Sequence, residues 1–201
     1  MNKGTIDMLK KFYEEQYADY LYDIKLANEA LSELLLNVSE NEIICDLYAL
    51  PSHNHQTFYA KIYKSDKGYV VLYAKPILHY VMDREDIFMY RFRDSVKLGE
   101  SHGLRGRIVC GIKYLDEAFV NDFLLKLECL PKKHILSSDK FVLDGVLQAI
   151  RVFESGILKK ELVYEDAEEI PFGQNDNLTE LKSFCSELYL KIEQIIGCGD
   201  Q

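Results

Sequence analysis

Residues 58–74 read FYAKIYKSDKGYVVLYA, and this stretch decides the fold class. On both sides of Ser65–Gly68, apolar residues occupy every second position, which is the pattern of a half-buried strand. Gly68 supplies the positive φ that a tight turn needs. The sequence therefore predicts a β-hairpin here. The alternating apolar residues are Phe58, Ala60, Ile62, Val70, Leu72 and Ala74.

The same period of two recurs on both sides of this hairpin, and antiparallel pairing is the natural way to connect such neighbouring strands. The second predicted hairpin turns at Ser155-Gly156. The strands predicted beside residues 58–74 are 43–50, 77–82, 86–93, 107–114, 141–144, 146–153 and 157–164.

Helical periodicity replaces the strand pattern at both ends of the chain and once in the middle. Apolar steps of four and three predict a long helical N-terminal element over 1–38. Asp116 caps a short amphipathic helix that ends before Pro131, and a C-terminal helix covers 177–197. Residues 1–201 are thus predicted as a single α+β domain, an antiparallel sheet of meandering hairpins packed by these three helices.

The apolar stripe of the N-terminal element allows two interpretations. Read as heptads, the stripe could join two chains as a coiled coil, which would make the protein a homodimeric structural module. Alternatively, the stripe lies on the sheet of its own chain. Tyrosines fit a coiled-coil core poorly, so the second interpretation is favoured. The stripe consists of Tyr13, Tyr17, Tyr20, Ile24, Ala27, Leu31, Leu34 and Val38.

Composition and charge exclude several classes of protein. Hydrophobic residues make up 48% and charged residues 28% of the chain, which excludes long disorder and fibrous repeats. The net charge of −9 argues against a nucleic-acid partner and favours a protein partner with a basic surface. Five cysteines without a Cys-x-x-Cys spacing predict neither a disulfide framework nor a zinc knuckle, and they fit a reducing cytoplasm. No apolar run is long enough to predict a membrane span.

The arginines are unevenly distributed, because five of the six lie within 84–107. Guanidinium groups match phosphate and carboxylate geometry, so this span predicts an anion or nucleotide site, in an enzyme with His102 as acid or base. The alternative is a solvated face on which the arginines pair with acidic neighbours. The candidate anion ligands are Arg91 and Arg93, on one face of a predicted strand, and His102, Arg105 and Arg107 in a glycine-containing loop.

No stretch carries a catalytic motif, and no cofactor is predicted. His53 and His55 lie on one side of an extended segment, as two metal ligands would, but the sequence identifies no third ligand. A polar hairpin turn is the favoured explanation of this pair, so no metal site is assigned. The cysteines lie mostly within apolar patterns and are interpreted as core residues.

Acidic residues crowd 161–180, a segment without Lys or Arg. Such a run raises the encounter rate with a cationic partner, and an apolar residue within it could anchor that partner. The alternative is a solvated loop whose acids favour the N-terminus of the following helix. The candidate partner-binding residues are Glu165, Asp166, Glu168, Glu169, Phe172 and Asp176.

The C-terminal third contains, in order, Leu143-Asp144-Gly145, a strand at 149–153, the Ser155-Gly156 turn, a strand ending at Tyr164, and Pro171 before an amphipathic helix. This order resembles bacterial immunity proteins that accompany polymorphic toxins, and related uncharacterised bacterial families. The resemblance implies a non-enzymatic protein that neutralises a cognate toxin by binding it, often through an acidic surface. It implies no functional role for Asp144 or Gly145 beyond the turn.

Overall fold

A computed structural model describes residues 3–50, 57–76, 91–93, 96, 108–128, 133–135, 146–166 and 176–197. These residues form three α-helices and one seven-stranded sheet. The helices are α1 (Lys3–Leu31), α2 (Glu117–Glu128) and α3 (Asp176–Gly197). The strands are β1 (Ile43–Leu50), β2 (Phe58–Ser65), β3 (Gly68–Pro76), β4 (Ile108–Tyr114), β5 (Lys133–Ile135), β6 (Val146–Glu154) and β7 (Ile157–Asp166).

The strand order β4-β3-β2-β1-β6-β7-β5 places β1 at the centre of the sheet. Six strands pair antiparallel, which confirms the predicted α+β fold with an antiparallel sheet. β5 adds a short parallel pairing along β7 that the sequence did not predict. Its three residues are too few to show a period.

Both predicted hairpins are confirmed, and each turns at a residue with positive φ. Gly68 has a φ of 111° after the β2–β3 turn, where Ser65 Oγ donates a hydrogen bond of 2.9 Å to its carbonyl oxygen. Ser155 and Gly156 have φ values of 50° and 77° in the β6–β7 turn. The predicted cap is also confirmed, since Asp116 Oδ1 accepts hydrogen bonds from the backbone N–H groups of Ala118 and Phe119 in the first turn of α2.

α1 covers one face of the sheet. Its stripe packs on sheet residues that include Tyr48, Tyr59 and Leu72, which confirms that the stripe lies on the chain's own sheet. The helix is shorter than predicted, because it ends at Leu31 and residues 32–37 form turns. The buried members of the stripe are Tyr20, Ile24, Ala27 and Leu31.

The helix ends at Leu31 because side-chain and short-range hydrogen bonds take over its last carbonyl groups. Ser32 Oγ donates to the carbonyl oxygen of Glu29 at 2.7 Å. The carbonyl oxygen of Leu31 accepts from the N–H groups of both Leu34 and Leu35 at 3.0 Å. Such a tightened last turn commonly closes a helix.

α2 and α3 cover the opposite face. Phe123 of α2 and Ile192 of α3 are buried in one cluster with side chains from the sheet, and Phe58 stacks on Tyr189 with ring centroids 5.4 Å apart. With helices on both faces, even an antiparallel strand is buried along most of its length, as β3 is from Tyr69 to Pro76.

The predicted strand at 86–93 is wrong at its described end. Arg91 lies in a bend, and Phe92 and Arg93 have helical conformation. Phe92 is fully buried in the cluster beneath α1. A short apolar run does not distinguish a strand from a helical turn, and here packing against α1 decides the conformation. Residues 77–82 and 141–144, also predicted as strands, lie outside the described residues.

Gly111 of β4 allows a close approach of Tyr73 from β3. A Cβ at Gly111 would lie 2.8 Å from Cε1 of Tyr73 and closer still to its hydroxyl oxygen. We expect Gly111→Ala to lower the free energy of unfolding by about 1–3 kcal/mol, because Tyr73 must leave its position in the core. Chemical denaturation measures the change. Gly197→Ala is the control, because apart from its chain neighbours and its own helix backbone no atom lies within 4 Å of the added Cβ. Equal losses in both variants would contradict the assignment.

Candidate functional site

Four charged residues form a row across the sheet face that α1 covers. Asp46 of β1 is paired with Lys61 of β2 and with Arg151 of β6, and Arg151 is paired with Glu161 of β7. Directly opposed residues project from the same face of a sheet, so their charges alternate in sign across four neighbouring strands. We call Lys61, Asp46, Arg151 and Glu161 the charged row.

Asp46 and Arg151 form the centre of the charged row. Their side chains are 3% and 17% exposed, and Arg151 Nε donates to Asp46 Oδ1 at 2.9 Å while Nη2 contacts Oδ2. Tyr59 Oη also donates to Asp46 Oδ2 at 2.7 Å. Burial disfavours the charge of Arg151, but its bonds to Asp46 outweigh that effect and raise its pKa above the usual value. The guanidinium of Arg151 therefore keeps its charge, and its Nε and Nη2 groups both bind the carboxylate of Asp46.

The two ends of the charged row are held differently. Tyr17 of α1 donates to both carboxylate oxygens of Glu161 at 3.2 Å, which ties the helix to β7. Burial lowers the pKa of Lys61, and the attraction of Asp46 opposes this shift. Lys61 therefore loses its proton more readily than an exposed lysine does.

A second cluster connects α1 to the described arginines. Asp19 contacts Arg91 Nη1 at 3.2 Å and Arg93 Nη1 at 2.5 Å. Asp23, one turn further along the same helix, accepts from Tyr48 Oη at 2.5 Å and from the backbone N–H of Arg93 at 3.3 Å. The structure thus brings Arg91 and Arg93 together on a carboxylate of their own chain. Their described partner Asp19 is distant in sequence, and the side chains of Arg91 and Arg93 are 14% and 32% exposed, so at these two residues the face is largely buried rather than solvated. The anion site stays a prediction.

Tyr20 lies between the two clusters and differs from its neighbours. Its ring packs against Tyr17 and Tyr48, with centroids 5.6 Å and 5.5 Å away. Its hydroxyl is buried, and no described residue forms a hydrogen bond with it. Burial raises the pKa of this hydroxyl, so Tyr20 is neutral at physiological pH. The ring is positioned by packing.

The chemistry of both clusters is that of a structural network. Burial raises the pKa of Tyr48 and Tyr59, so both hydroxyls remain protonated donors. Burial likewise raises the pKa of Cys45 and Cys110, which keeps these thiols protonated and weakly nucleophilic. Within the described ranges, no three His, Cys, Asp or Glu side chains are grouped as metal ligands. The network orients α1, and its described hydroxyl and thiol groups are not activated as nucleophiles. Lys61 is the exception in the charged row, because burial lowers the pKa of its amine.

Most residues predicted as binding sites are outside the part of the chain that can be described. Glu165 and Asp166 are the last residues of β7, and Asp176 is the first residue of α3. The predicted site residues that lie outside the described ranges are Glu168, Glu169, Phe172, His102, Arg105 and Arg107. The pair His53 and His55, to which no site was assigned, also lies outside them.

Sequence reasoning missed the charged row. One signal was present, because Arg151 is the only charged residue between Val146 and Phe153, a strand that is otherwise mostly apolar. Asp46 stands alone in the same way within β1. A charge at an inward strand position requires a buried partner. The sequence does not show which strand provides that partner.

No helix in the described ranges is both long enough and apolar enough to cross a bilayer. Comparisons with protein-family models, with curated proteins and with solved structures find no match to this chain. The resemblance of the C-terminal third to immunity proteins therefore stays a prediction.

The contrast between Tyr48 and Tyr20 can be tested with matched variants. We expect Tyr48→Phe to lower the free energy of unfolding by about 1–3 kcal/mol, because Asp23 loses a buried donor. Tyr20→Phe keeps the ring and removes a hydroxyl without a partner among the described residues, so we expect no loss. Denaturant unfolding measures both changes. A loss for Tyr20→Phe as large as that for Tyr48→Phe would contradict the assignment.

Asp23 makes stability depend on pH. Its pKa is raised above 3.8 by burial, although Tyr48, Arg93 and Arg91 oppose that shift. The folded state therefore binds this proton more tightly than the unfolded state, so lowering the pH from neutrality through the raised pKa stabilises the fold at this group. The gain levels off below the ordinary pKa of aspartate.

We expect Asp23→Asn to lack this contribution. The free energy of unfolding of the wild type minus that of Asp23→Asn should increase as the pH falls from neutral toward 4. Urea unfolding across a pH series measures the difference. Glu14→Gln, a change at an exposed carboxylate, controls for the loss of a charge. A difference that stays constant or decreases at low pH is the contradicting result.

Proposed function

We propose that this chain is a non-enzymatic binding protein of the immunity or antitoxin kind, which neutralises a basic protein partner in a bacterial cytoplasm through an acidic surface. The observation that carries the proposal is that the described arginines are engaged inside the fold whereas carboxylates dominate its surface. Arg91, Arg93 and Arg151 are held inward by Asp19 and Asp46. Exposed carboxylates outnumber exposed lysines among the described residues.

The exposed carboxylates are spread over several elements. Together they give the surface a negative potential that steers cationic partners, in agreement with the net charge of −9. The exposed acidic residues of the described ranges are Glu14, Glu15, Glu29, Glu33, Glu40, Glu42, Asp66, Asp116, Glu117, Asp122, Glu128, Glu154 and Glu187.

One end of the sheet combines exposed acids with exposed apolar side chains. Ile157 and Leu158, just after the β6–β7 turn, are 61% and 45% exposed. The turn lies against residues 40–42, because a Cβ on Gly156 would be 3.0 Å from Asn41 Oδ1. An apolar centre within a charged rim is the usual arrangement of an interface hot spot. We call this surface, formed by Glu40, Glu42, Glu154, Ile157 and Leu158, the acidic tip. Lys159 pairs with Glu154 at 3.3 Å, so the net negative charge of the tip comes from Glu40 and Glu42.

The acidic tip and the predicted segment 165–176 are two separate candidate contact surfaces. β7 joins them, since Ile157 begins the strand and Asp166 ends it. A strand of 10 residues spans about 30 Å, so a small partner that contacts Ile157 does not also reach Asp166. Charge reversal at each surface distinguishes them.

A competition assay in the source bacterium tests the proposal. We expect a strain that lacks this gene to be inhibited by its wild-type siblings in mixed culture and to be rescued by the wild-type gene. If the segment 165–176 binds the partner, rescue should fail for the triple variant Glu165→Lys/Glu168→Lys/Glu169→Lys. If the acidic tip binds it, rescue should fail for Glu40→Lys/Glu42→Lys/Glu154→Lys. Glu14→Lys/Glu15→Lys on α1 is the matched control and should rescue.

The biochemical counterpart uses the partner that copurifies with the wild type. We expect reversal of the contacting surface to weaken its affinity at least tenfold, which corresponds to about 1.4 kcal/mol, and the α1 control to leave the affinity unchanged. A deletion strain that competes normally, or a partner retained by both triple variants, contradicts the proposal.

A further inference from the structure

β4 forms one edge of the described sheet. The N–H group of Leu115 donates to the carbonyl oxygen of Tyr69 at 2.9 Å, and this bond shows which residues of β4 form hydrogen bonds with β3. In an antiparallel ladder, alternate residues bind the same neighbour. The odd-numbered residues of β4 therefore bind β3, and the even-numbered residues direct their N–H and C=O groups away from the sheet. These are Ile108, Cys110, Ile112 and Tyr114.

Within its own described residues, β4 lacks three of the usual protections against pairing. Edge strands are commonly blunted by Pro, by a bulge or by several charges. β4 runs for seven residues without a proline, pairs with β3 in unbroken register, and contains Lys113 as its one charged residue. Ile112 and Tyr114 are 47% and 66% exposed. Apolar side chains and a row of outward backbone groups thus lie on the same edge.

The edge is complementary to itself. Gly111 is the middle residue of β4, so a twofold axis at this residue gives the longest antiparallel overlap between two copies. Ile112 is then opposite Cys110 of the other copy, and Tyr114 is opposite its Ile108. All four carry outward N–H and C=O groups, so every such group obtains a partner.

Side-chain packing agrees with this register. Residues 108, 110, 112 and 114 project from one face, so the exposed Ile112 and Tyr114 would each rest on an apolar residue of the other copy. Lys113 is opposite Val109, so no like charges oppose each other along the strand. Any other register leaves part of the edge unpaired.

We propose that two copies of this chain associate through antiparallel pairing of their β4 strands about Gly111, which joins their sheets into one. This interface replaces the coiled-coil dimer considered from sequence, because the stripe of α1 is already buried on its own sheet. The proposal does not rest on the proposed function. A homodimer forms or fails independently of any basic partner.

Proline substitution tests the outward hydrogen bonds to a second copy without removing the hydrogen bonds between β4 and β3. We expect sedimentation equilibrium of the full chain to give twice the mass of one chain. Ile112→Pro removes an outward N–H group only, as proline at an edge strand allows. This variant should keep its melting temperature within a few degrees and dissociate at least tenfold more readily. Leu125→Asp, at an exposed apolar residue of α2, is the control and should remain dimeric.

Cross-linking tests the register without disrupting the interface. Cys110 is a half-buried free thiol that donates to the carbonyl oxygen of Ala30 at 3.4 Å, so the exposed thiol introduced at position 112 is the attacking group. Hydrogen-bonded antiparallel pairs have Cα atoms about 5.5 Å apart, within the range that a disulfide spans. We expect Ile112→Cys to form a reducible covalent dimer on mild oxidation. Tyr114→Cys is the control, because its new thiol would be opposite Ile108, and it should form far less of this dimer.

Three outcomes overturn the proposal. The wild type could be monomeric at all accessible concentrations, which includes the case in which β4 binds a peptide of another protein instead. The dimer could survive Ile112→Pro. Oxidation of Ile112→Cys could yield no more covalent dimer than the wild type and Tyr114→Cys, which would exclude the register even if Ile112→Pro failed to fold.

Discussion

The buried ion pair between Asp46 and Arg151 is the constraint on which the arrangement of the sheet and α1 depends. It joins the central strand β1 to β6 and thus connects the β1–β4 meander to the β6–β7 hairpin. A slip of β6 by one residue would move Arg151 to the other face and leave a buried carboxylate without its partner. Through Tyr59, which also approaches Asn28 at 3.4 Å, the same cluster reaches α1. The pair therefore specifies both strand register and helix placement.

The second cluster likewise uses carboxylates, here to hold α1 in place. Asp19 and Asp23 extend from the helix toward Arg91, Arg93 and Tyr48, so the helix is held by charge as well as by its apolar stripe. Buried polar groups contribute more to specificity than to net stability, because desolvation offsets much of their attraction. Their functional consequence is indirect. Guanidinium groups engaged inside the fold leave the exposed carboxylates to determine the surface potential.

The elements that the sequence predicted correctly are those fixed by local chemistry. The turn at Gly68, the cap at Asp116 and the stripe of α1 each follow from neighbouring residues alone. The helical turn at Phe92 and the charged row depend instead on contacts between distant segments. Strand alternation indicates which residues share a face, but Asp46 and Arg151 are brought together by strand order and register, which alternation does not contain.

Because helices cover both faces of the sheet, we place contacts with other molecules at its edges and turn ends, as far as the described residues form them. β5 follows β7 for only three residues, whereas β4 offers seven. The β4 edge would bind through backbone hydrogen bonds and apolar contact, while the acidic tip would bind through charge. Added salt screens the mutual repulsion of two chains that each carry −9, and it also weakens attraction to a basic partner. The two surfaces therefore respond to ionic strength in opposite directions, which makes self-association and partner binding separable in one solution.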